Sequence, residues 1–353
     1  MEKDDKKFMQ RAIQLALCGE ASTMPNPMVG AVIVCDGNIV GEGYHRRYGG
    51  PHAEVNAVAC ARANEKWQTL RQSRNGGREF ADCIMYVTLE PCAHWGKTPP
   101  CCDLIAECGF DRVVVGMQDP NAKVNGEGIR RIREAGIEVE VGVMEAECRA
   151  INPCFLTYHG KQRPRVTLKW AQTDDGIMGY RRMQKGERLR ISTPFTEMLV
   201  HRLRARCQAI MVGTNTMLAD RPLLSTRLWH GTSPLRVTID RRGCLTAEAS
   251  WQSDDAETLV YGNEILPEIL YDLHKRGVQH LLVEGGSKLL QSFVNEDLWD
   301  DARVETSYAS GMVAAADGDG DKVTAPQLRH AKLCEEYMVD GNKLLIFINT
   351  RHI

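Results

Sequence analysis

Apolar residues recur at helical spacing through FMQRAIQLAL, at Phe8, Ala12, Ile13, Ala16 and Leu17. The period then shortens. AVIVCDGNIVGEGY reads as two apolar runs folded at Asp36-Gly37, a favoured tight-turn pair, so a hairpin is expected there. A helix is expected from His52 through AEVNAVACARA, then a strand at CIMYVTLE and a helix after Cys101. RVVVGM continues as a strand, IRRIREAG as a helix closed by Gly136, and IEVEVGV as a strand. The second half restarts the alternation: strand VTLKWA, helix LVHRLRA, strands AIMVG and LRVTID, helix LPEILYDLHKRG, strand HLLVEGG. Strands alternating with helices predict mostly parallel sheets covered on both faces, an α/β class in both halves.

Length turns this alternation into two domains. A single core stops growing near 250–300 residues, and the chain has 353. The boundaries predicted are a first domain over 1–150, a linker over 151–163 and a second domain over 164–353. The polar stretch HGKQRPR, His159 to Arg165, is the most linker-like segment. A short DGDGD run, Asp317 to Asp321, reads as a surface loop.

Composition narrows the function classes. With a formal net charge of −2 and no basic runs, a nucleic-acid surface is not expected. No stretch approaches the roughly 18–20 apolar residues of a membrane span. The charged start MEKDDKKFMQ has no signal core, so a cytoplasmic protein is expected. There are 13 cysteines, ten of them between Cys18 and Cys154. In a reducing compartment these read as free thiols, most of them packed as small apolar residues.

Two short pieces carry chemistry. PHAEVNAV holds His52 and Glu54, and LEPCAHWGKTPPCC holds Cys92, His94, Cys101 and Cys102. One imidazole and two thiolates suit a catalytic zinc site, which keeps a fourth position for water. Helix starts at His52 and Cys101 add a dipole that favours thiolate. Glu54, two residues beyond His52, can shuttle protons beside a water whose pKa zinc lowers toward about 7. The combination is the H-x-E…P-C signature of zinc nucleobase deaminases. His94 is an alternative ligand to Cys101, and Cys102 is expected to pack rather than ligate.

In the second half GxGxxG is absent. VEGGSKLLQSF, Val283 to Phe293, instead offers a strand, a Gly-Gly-Ser turn and a helix whose bare N–H groups suit a pyrophosphate.

HAE, EPCxHxGxTPPC, PNPMVGAVIV, GEGYH and DPNAKVNGEGI, followed by LKWAQTDDG and HRLRARCQAIMVGTNTMLADRPLLSTR, resemble the bifunctional riboflavin-biosynthesis deaminase–reductase family across nearly the whole chain. The resemblance implies a cytidine-deaminase-like domain followed by a dihydrofolate-reductase-like one, using Zn2+ and NADPH. It implies zinc on His52, Cys92 and Cys101, with Glu54 as the catalytic proton shuttle. Asn26, His45, Lys97, Asp119 and Asn121 would contact the pyrimidine, ribose or phosphate. In the reductase half Arg204, Leu224, Arg227 and Glu284 would hold the substrate. Ala171, Thr216, Asp220 and the run Gly286, Ser287, Lys288, Leu289, Leu290, Gln291, Ser292 would line the cofactor. The implied reactions remove the 2-amino group of 2,5-diamino-6-ribosylamino-4(3H)-pyrimidinone 5′-phosphate, then reduce its ribosyl group to ribityl.

The chain departs from that family at Thr173-Asp174-Asp175-Gly176, where many members have Ser-Leu-Asp-Gly. It departs again at Arg190-Ile191, in place of Trp-Ile, and at Asp220-Arg221-Pro222, in place of Asp-Asp-Pro. Two other classes compete: a nucleotide or tRNA deaminase with an accessory domain, and a non-catalytic protein with structural zinc. The eight-residue spacing from Cys92 to Cys101 counts against the first. Glu54, useless in a structural site, counts against the second.

Overall fold

The computed structural model describes residues 2–20, 22–72, 77–95, 99–121, 124–180, 189–245, 257–307 and 322–352. Lys97 and the DGDGD run lie outside them. The chain divides into two units, Met1–Lys161 and Gln162–Ile353.

The first unit runs α1 (Glu2–Leu17), β1 (Gly30–Cys35), β2 (Asn38–Tyr44), α2 (Ala53–Ala63), α3 (Glu65–Gln72) and β3 (Cys83–Val87). It continues with α4 (Cys101–Cys108), β4 (Arg112–Val115), α5 (Glu127–Glu134), β5 (Glu138–Val141), α6 (Glu145–Ala150) and α7 (Pro153–Lys161). Its five strands lie in the order β2-β1-β3-β4-β5. Only β1 runs against the others, because the Asp36-Gly37 hairpin reverses the chain there. Alternate residues of β1 feed two cores: Ala31, Ile33 and Cys35 face one, Val32 and Val34 the other. The α2 helix beds onto the hairpin through its alanines. A Cβ on Gly43 would lie 2.3 Å from the Ala57 nitrogen, so only glycine permits that approach. This contact sets the height at which His52 and Glu54 enter the site.

The segment expected as a linker over 151–163 is mostly the helix α7, and Ile151 and Phe155 are buried in the first unit's core. Only the end of that segment, from His159, is polar, and its apolar start anchors in the core. The cysteines also depart from expectation. Cys35 and Cys83 stand directly opposite in the β1–β3 register, with Cα atoms 4.4 Å apart, and form a disulfide. Sequence spacing across 48 residues carries no sign of that cross-strand register. Eleven cysteines remain free, among them Cys92 and Cys101.

The second unit runs β6 (Arg165–Thr173), β7 (Ile177–Tyr180), α8 (Pro194–Ala205), β8 (Ala209–Gly213), α9 (Thr214–Asp220), β9 (Leu235–Ile239) and β10 (Thr258–Tyr261). Then follow α10 (Leu266–Lys275), β11 (His280–Val283), α11 (Ser287–Asn295), β12 (Asp301–Ser307), β13 (Lys322–Thr324), β14 (Ala331–Val339) and β15 (Asn342–Asn349). Eight strands form the main sheet, ordered β10-β9-β8-β11-β6-β12-β15-β14. The first six are parallel, and β15 returns antiparallel beside β12. Val166, Leu168, Leu281 and Val283 pack on one face of the sheet and Ile210, Val212 and Leu282 on the other, so the central strands are apolar on both faces, as a covered parallel sheet requires. None of the described helices is long and apolar enough to cross a membrane.

Candidate active sites

Three segments converge at the first site. His52 is the N-cap of α2, Cys92 sits in the loop after β3, and Cys101 is the first residue of α4. His52 Nδ1 lies 3.3 Å from Cys101 Sγ and 3.6 Å from Cys92 Sγ. All three donor atoms fall within 4.8 Å of one another. Donors sharing one tetrahedral zinc, with bonds of about 2.0–2.3 Å, stand roughly 3.5 Å apart, so nitrogen and two sulfurs fit the ion. Cys92 is pushed down to about 4 by the hydrogen bond from the Cys101 thiol, then by His52 and the Cys101 backbone. It is the thiolate of the pair. His52 is raised in turn, chiefly by its contact with Cys92.

Glu54 stands on the first turn of α2 and is 3% exposed. Burial pushes it up to about 6, with the Cys92 charge adding to the effect. A carboxyl so placed takes up and returns a proton near neutrality. His94 is exposed and outside the donor set. Cys102 turns into the hydrophobic core, where burial raises it to about 12.

His45 and Asn26 lie beside this cluster. The His45 ring meets the His52 ring edge-on at 5.4 Å. His45 Nδ1 is 3.0 Å from the Pro51 carbonyl, which only accepts, so Nδ1 carries the proton. Nε2 then accepts from Asn26 Nδ2 at 3.1 Å. With both nitrogens engaged and the residue 2% exposed, His45 orients Asn26. Asp119 is buried, and its carboxylate accepts from the Asn121 N–H at 2.8 Å. Burial pushes Asp119 up to about 6, helped by the charges of Glu90 and Cys92.

The motif gives Glu90 no role beyond its place before Pro91 and Cys92. Its buried carboxylate accepts four backbone N–H groups, from Asp119, Gly126, Gly128 and Ile129, at 2.9–3.3 Å. Main-chain partners leave no side-chain signature in a sequence.

In the second unit a cavity of about 500 Å³ gathers Arg204, Leu224, Arg227 and Glu284, all four expected substrate residues. Lys169, Ser192 and His201 line it too, unforeseen as substrate contacts, and so does Arg221 of the Asp220-Arg221-Pro222 departure. Arg204 grips Glu284 with both arms, at 2.8 and 2.7 Å, and donates to the Ser225 carbonyl at 3.2 Å. Its guanidinium is therefore committed to Glu284 in this structure. Arg227 pairs with Glu197 at 3.2 Å. Burial opposes the Glu284 charge, yet Arg204 prevails and holds that carboxyl below its ordinary range. Lys169 is lowered by burial.

The expected cofactor residues also fall in this unit. Gly286 opens α11 without a side-chain cap, so the first-turn N–H groups fit a pyrophosphate. Thr216 adjoins it: a Cβ on Gly286 would lie 3.4 Å from the Thr216 hydroxyl. Asp220 ends α9, and Ala171 lies on β6. The run through Ser292 divides by helical periodicity. Ser287, Lys288, Gln291 and Ser292 line a second cavity of about 500 Å³ beside Gln327. Leu290 is fully buried in the core and Leu289 packs partly against it, which leaves Leu290 only its backbone for a ligand.

A buried carboxyl on the helix turn after His52, with a nitrogen–sulfur donor set, fits a zinc deaminase, and the α/β second unit with its uncapped Gly-Gly-Ser turn fits a nucleotide-using reductase. Residues 2–117 match the cytidine and deoxycytidylate deaminase zinc-binding region, and residues 164–307 match the RibD C-terminal domain. The riboflavin biosynthesis protein RibD of Aquifex aeolicus is 38% identical over 319 residues, 84% of this chain and 85% of that protein. The Escherichia coli protein of the same name is 35% identical over 352 residues, covering 90% of each chain. Among solved structures, a diaminohydroxyphosphoribosylaminopyrimidine deaminase/5-amino-6-(5-phosphoribosylamino)uracil reductase from Thermotoga maritima superposes with a TM-score of 0.78, at 34% identity and 99% coverage of both chains. Acinetobacter baumannii RibD gives 0.80 at 32% identity, again with 99% coverage of both. The chain belongs to the RibD family of riboflavin biosynthesis proteins and carries its deaminase and reductase activities. The expected fold class, deaminase-like then reductase-like, is borne out.

Proposed function

We propose that the first unit deaminates 2,5-diamino-6-ribosylamino-4(3H)-pyrimidinone 5′-phosphate by hydrolysis, and that the second reduces the ribosyl group of the product to ribityl with NADPH. The observation that carries the first half is Glu54, buried and protonatable, beside His52, Cys92 and Cys101. In this reading the deaminase occupies 1–150 and the reductase 164–353.

His52, Cys92 and Cys101 hold zinc. When bound, the ion supplies a water acidic enough to act as a nucleophile at neutral pH. Glu54 would accept one proton from the attacking water and deliver it to the ring nitrogen, then accept the proton left on the new hydroxyl and deliver it to the departing amine. Water enters, ammonia leaves, and oxygen replaces the 2-amino group. Asn26, oriented by His45, and Asp119 with Asn121 hold the pyrimidine and its ribose, and Lys97 meets the phosphate.

In the second unit the paired Arg204 and Glu284, with Leu224 and Arg227, hold the deaminated ribotide. NADPH, when bound, would supply hydride to the anomeric carbon as the ring C–O bond there opens and its oxygen takes up a proton, leaving the ribityl chain and NADP+. Gly286 through Ser292 receive its pyrophosphate at the start of α11, with Thr216, Asp220 and Ala171 lining the remainder. A cytoplasmic site of action fits Cys92 and Cys101, which zinc requires reduced, while Cys35 and Cys83 form a disulfide in the same unit. A homo-oligomer fits the outermost strand β14, where Leu333, Tyr337 and Met338 are exposed.

The test supplies purified protein with zinc, the diaminopyrimidine phosphate and NADPH, and follows ammonia and NADPH oxidation together. Both signals, with oxidation dependent on that substrate, are expected. Ammonia without oxidation would overturn the reductase assignment, and neither signal would overturn the substrate.

A further inference from the structure

Glu90 joins two parts of the first site that are far apart in sequence. It lies two residues before Cys92, and its own N–H donates to the Met117 carbonyl at 2.9 Å. Its side chain is 3% exposed. One carboxylate oxygen accepts from Asp119 at 3.1 Å and Gly126 at 2.9 Å. The other accepts from Gly128 at 2.9 Å and Ile129 at 3.3 Å. Gly126 is the N-cap of α5, and Gly128 and Ile129 lie in its first turn, so the charge meets the positive end of the helix. A Cβ on Gly128 would lie 2.0 Å from the Pro91 oxygen, so helix and ligand turn meet without room for a side chain. Between the anchored ends, Asn121 accepts from Val124 and Asn125 and donates to Asp119.

We propose that Glu90 is a positioning residue of the deaminase: it clamps Asp119 and the start of α5 to the turn carrying Cys92 and so sets Asp119 and Asn121 at the correct height for the pyrimidine ribotide. This rests on the function proposed above. The clamp acts on substrate placement. The metal keeps its three ligands without it, and the proton shuttle Glu54 stands on another element.

The test compares zinc-loaded wild type with Glu90→Gln, which turns one acceptor oxygen into a donor facing two N–H groups. Glu90→Asp, which shortens the reach and keeps the charge, is the second variant. Zinc content, deaminase kcat and KM, and amide exchange across 126–129 are measured. NADPH oxidation is followed with the deaminated ribotide supplied directly. For Glu90→Gln the expected result is unchanged zinc and reductase rates, faster exchange at 126–129, and a KM raised about tenfold with kcat within about threefold. Glu90→Asp is expected to lie between Gln and wild type in both KM and exchange. Wild-type KM and exchange in Glu90→Gln would overturn the clamp. Loss of zinc in proportion to activity would overturn it as well, by showing that Glu90 merely supports the ligand turn. A wild type inactive on the ribotide yet with 126–129 protected would instead count against the proposed substrate.

Discussion

The backbone N–H of Cys101 points at the sulfur of Cys92, 3.3 Å away. One ligand's main chain thus stabilises the other ligand's thiolate at the start of a helix, so the donor set is arranged by protein contacts. Replacing Cys92 by Ser removes the thiolate that those contacts serve. Zinc should fall below about a tenth of an ion per chain, and ammonia release should cease. NADPH oxidation with deaminated ribotide should stay within about twofold, since its residues lie in the other unit. Metal analysis beside the two rate assays checks this.

Glu54→Gln keeps the shape of the buried side chain and removes its proton-accepting oxygen. The expected outcome is retained zinc with kcat for deamination reduced about 10²–10⁴-fold, the range of general acid–base catalysis. Zinc lost together with activity would show that Glu54 supports the ligands instead.

Arg204→Lys leaves Glu284 buried with a point charge in place of a two-armed partner. Charged hydrogen bonds contribute about 1.5–3 kcal/mol each, so kcat/KM of the reductase should fall at least about tenfold while deamination is unaffected. Steady-state kinetics on the two half-reactions separates these outcomes.

Arg163 and Asp300 form a buried bidentate pair at 2.6 and 2.8 Å, next to the buried Trp299. Burial alone would raise Asp300, but Arg163 and His352 hold it far below the ordinary carboxylate range. A depressed folded pKa gives stability that is complete above the unfolded value, about 3.9, and is lost as pH falls below it. The Asp300 contribution to the stability of the second unit, read as the difference in urea unfolding between wild type and Asp300→Asn, should therefore be complete above about pH 5 and weaken below about pH 4. Asp300→Asn should cost about 3–5 kcal/mol at pH 7 and flatten that acid limb.

Gly43→Ala places a methyl group against the backbone of Ala57. Overpacking of this kind costs about 1–3 kcal/mol. Here it should also lift α2, so zinc affinity falls along with melting temperature. Unchanged metal affinity in a destabilised variant would show that the helix start is held independently of that contact.

Much of this was legible from residue order. Asp36-Gly37 closes the hairpin as its chemistry dictates, and the strand–Gly-Gly–helix at Val283 to Phe293 stands where the pattern puts it. His52, Cys92 and Cys101 were legible because metal chemistry restricts ligand types and leaves a spaced motif. What escaped was set by tertiary neighbours. Arg204 and Glu284 hold one another across eighty positions of sequence, a pairing that no local pattern reports. Lys169 belongs to the substrate cavity only because β6 lies beside β11, and that strand order is invisible locally. The α7 helix was hidden because its last turn, from His159, is the start of the polar stretch, while Phe155 near its beginning is buried.

The charge of Glu90 is met by peptide dipoles inside the protein, whereas the Glu127–Arg130 pair on the same helix lies at the surface. Dissolved ions screen the second and scarcely reach the first. Raising the salt concentration should therefore loosen the outside of α5 while its inner end stays docked. Any ionic-strength dependence of deamination then reports on capture of the phosphorylated substrate, with the loop that receives it unchanged.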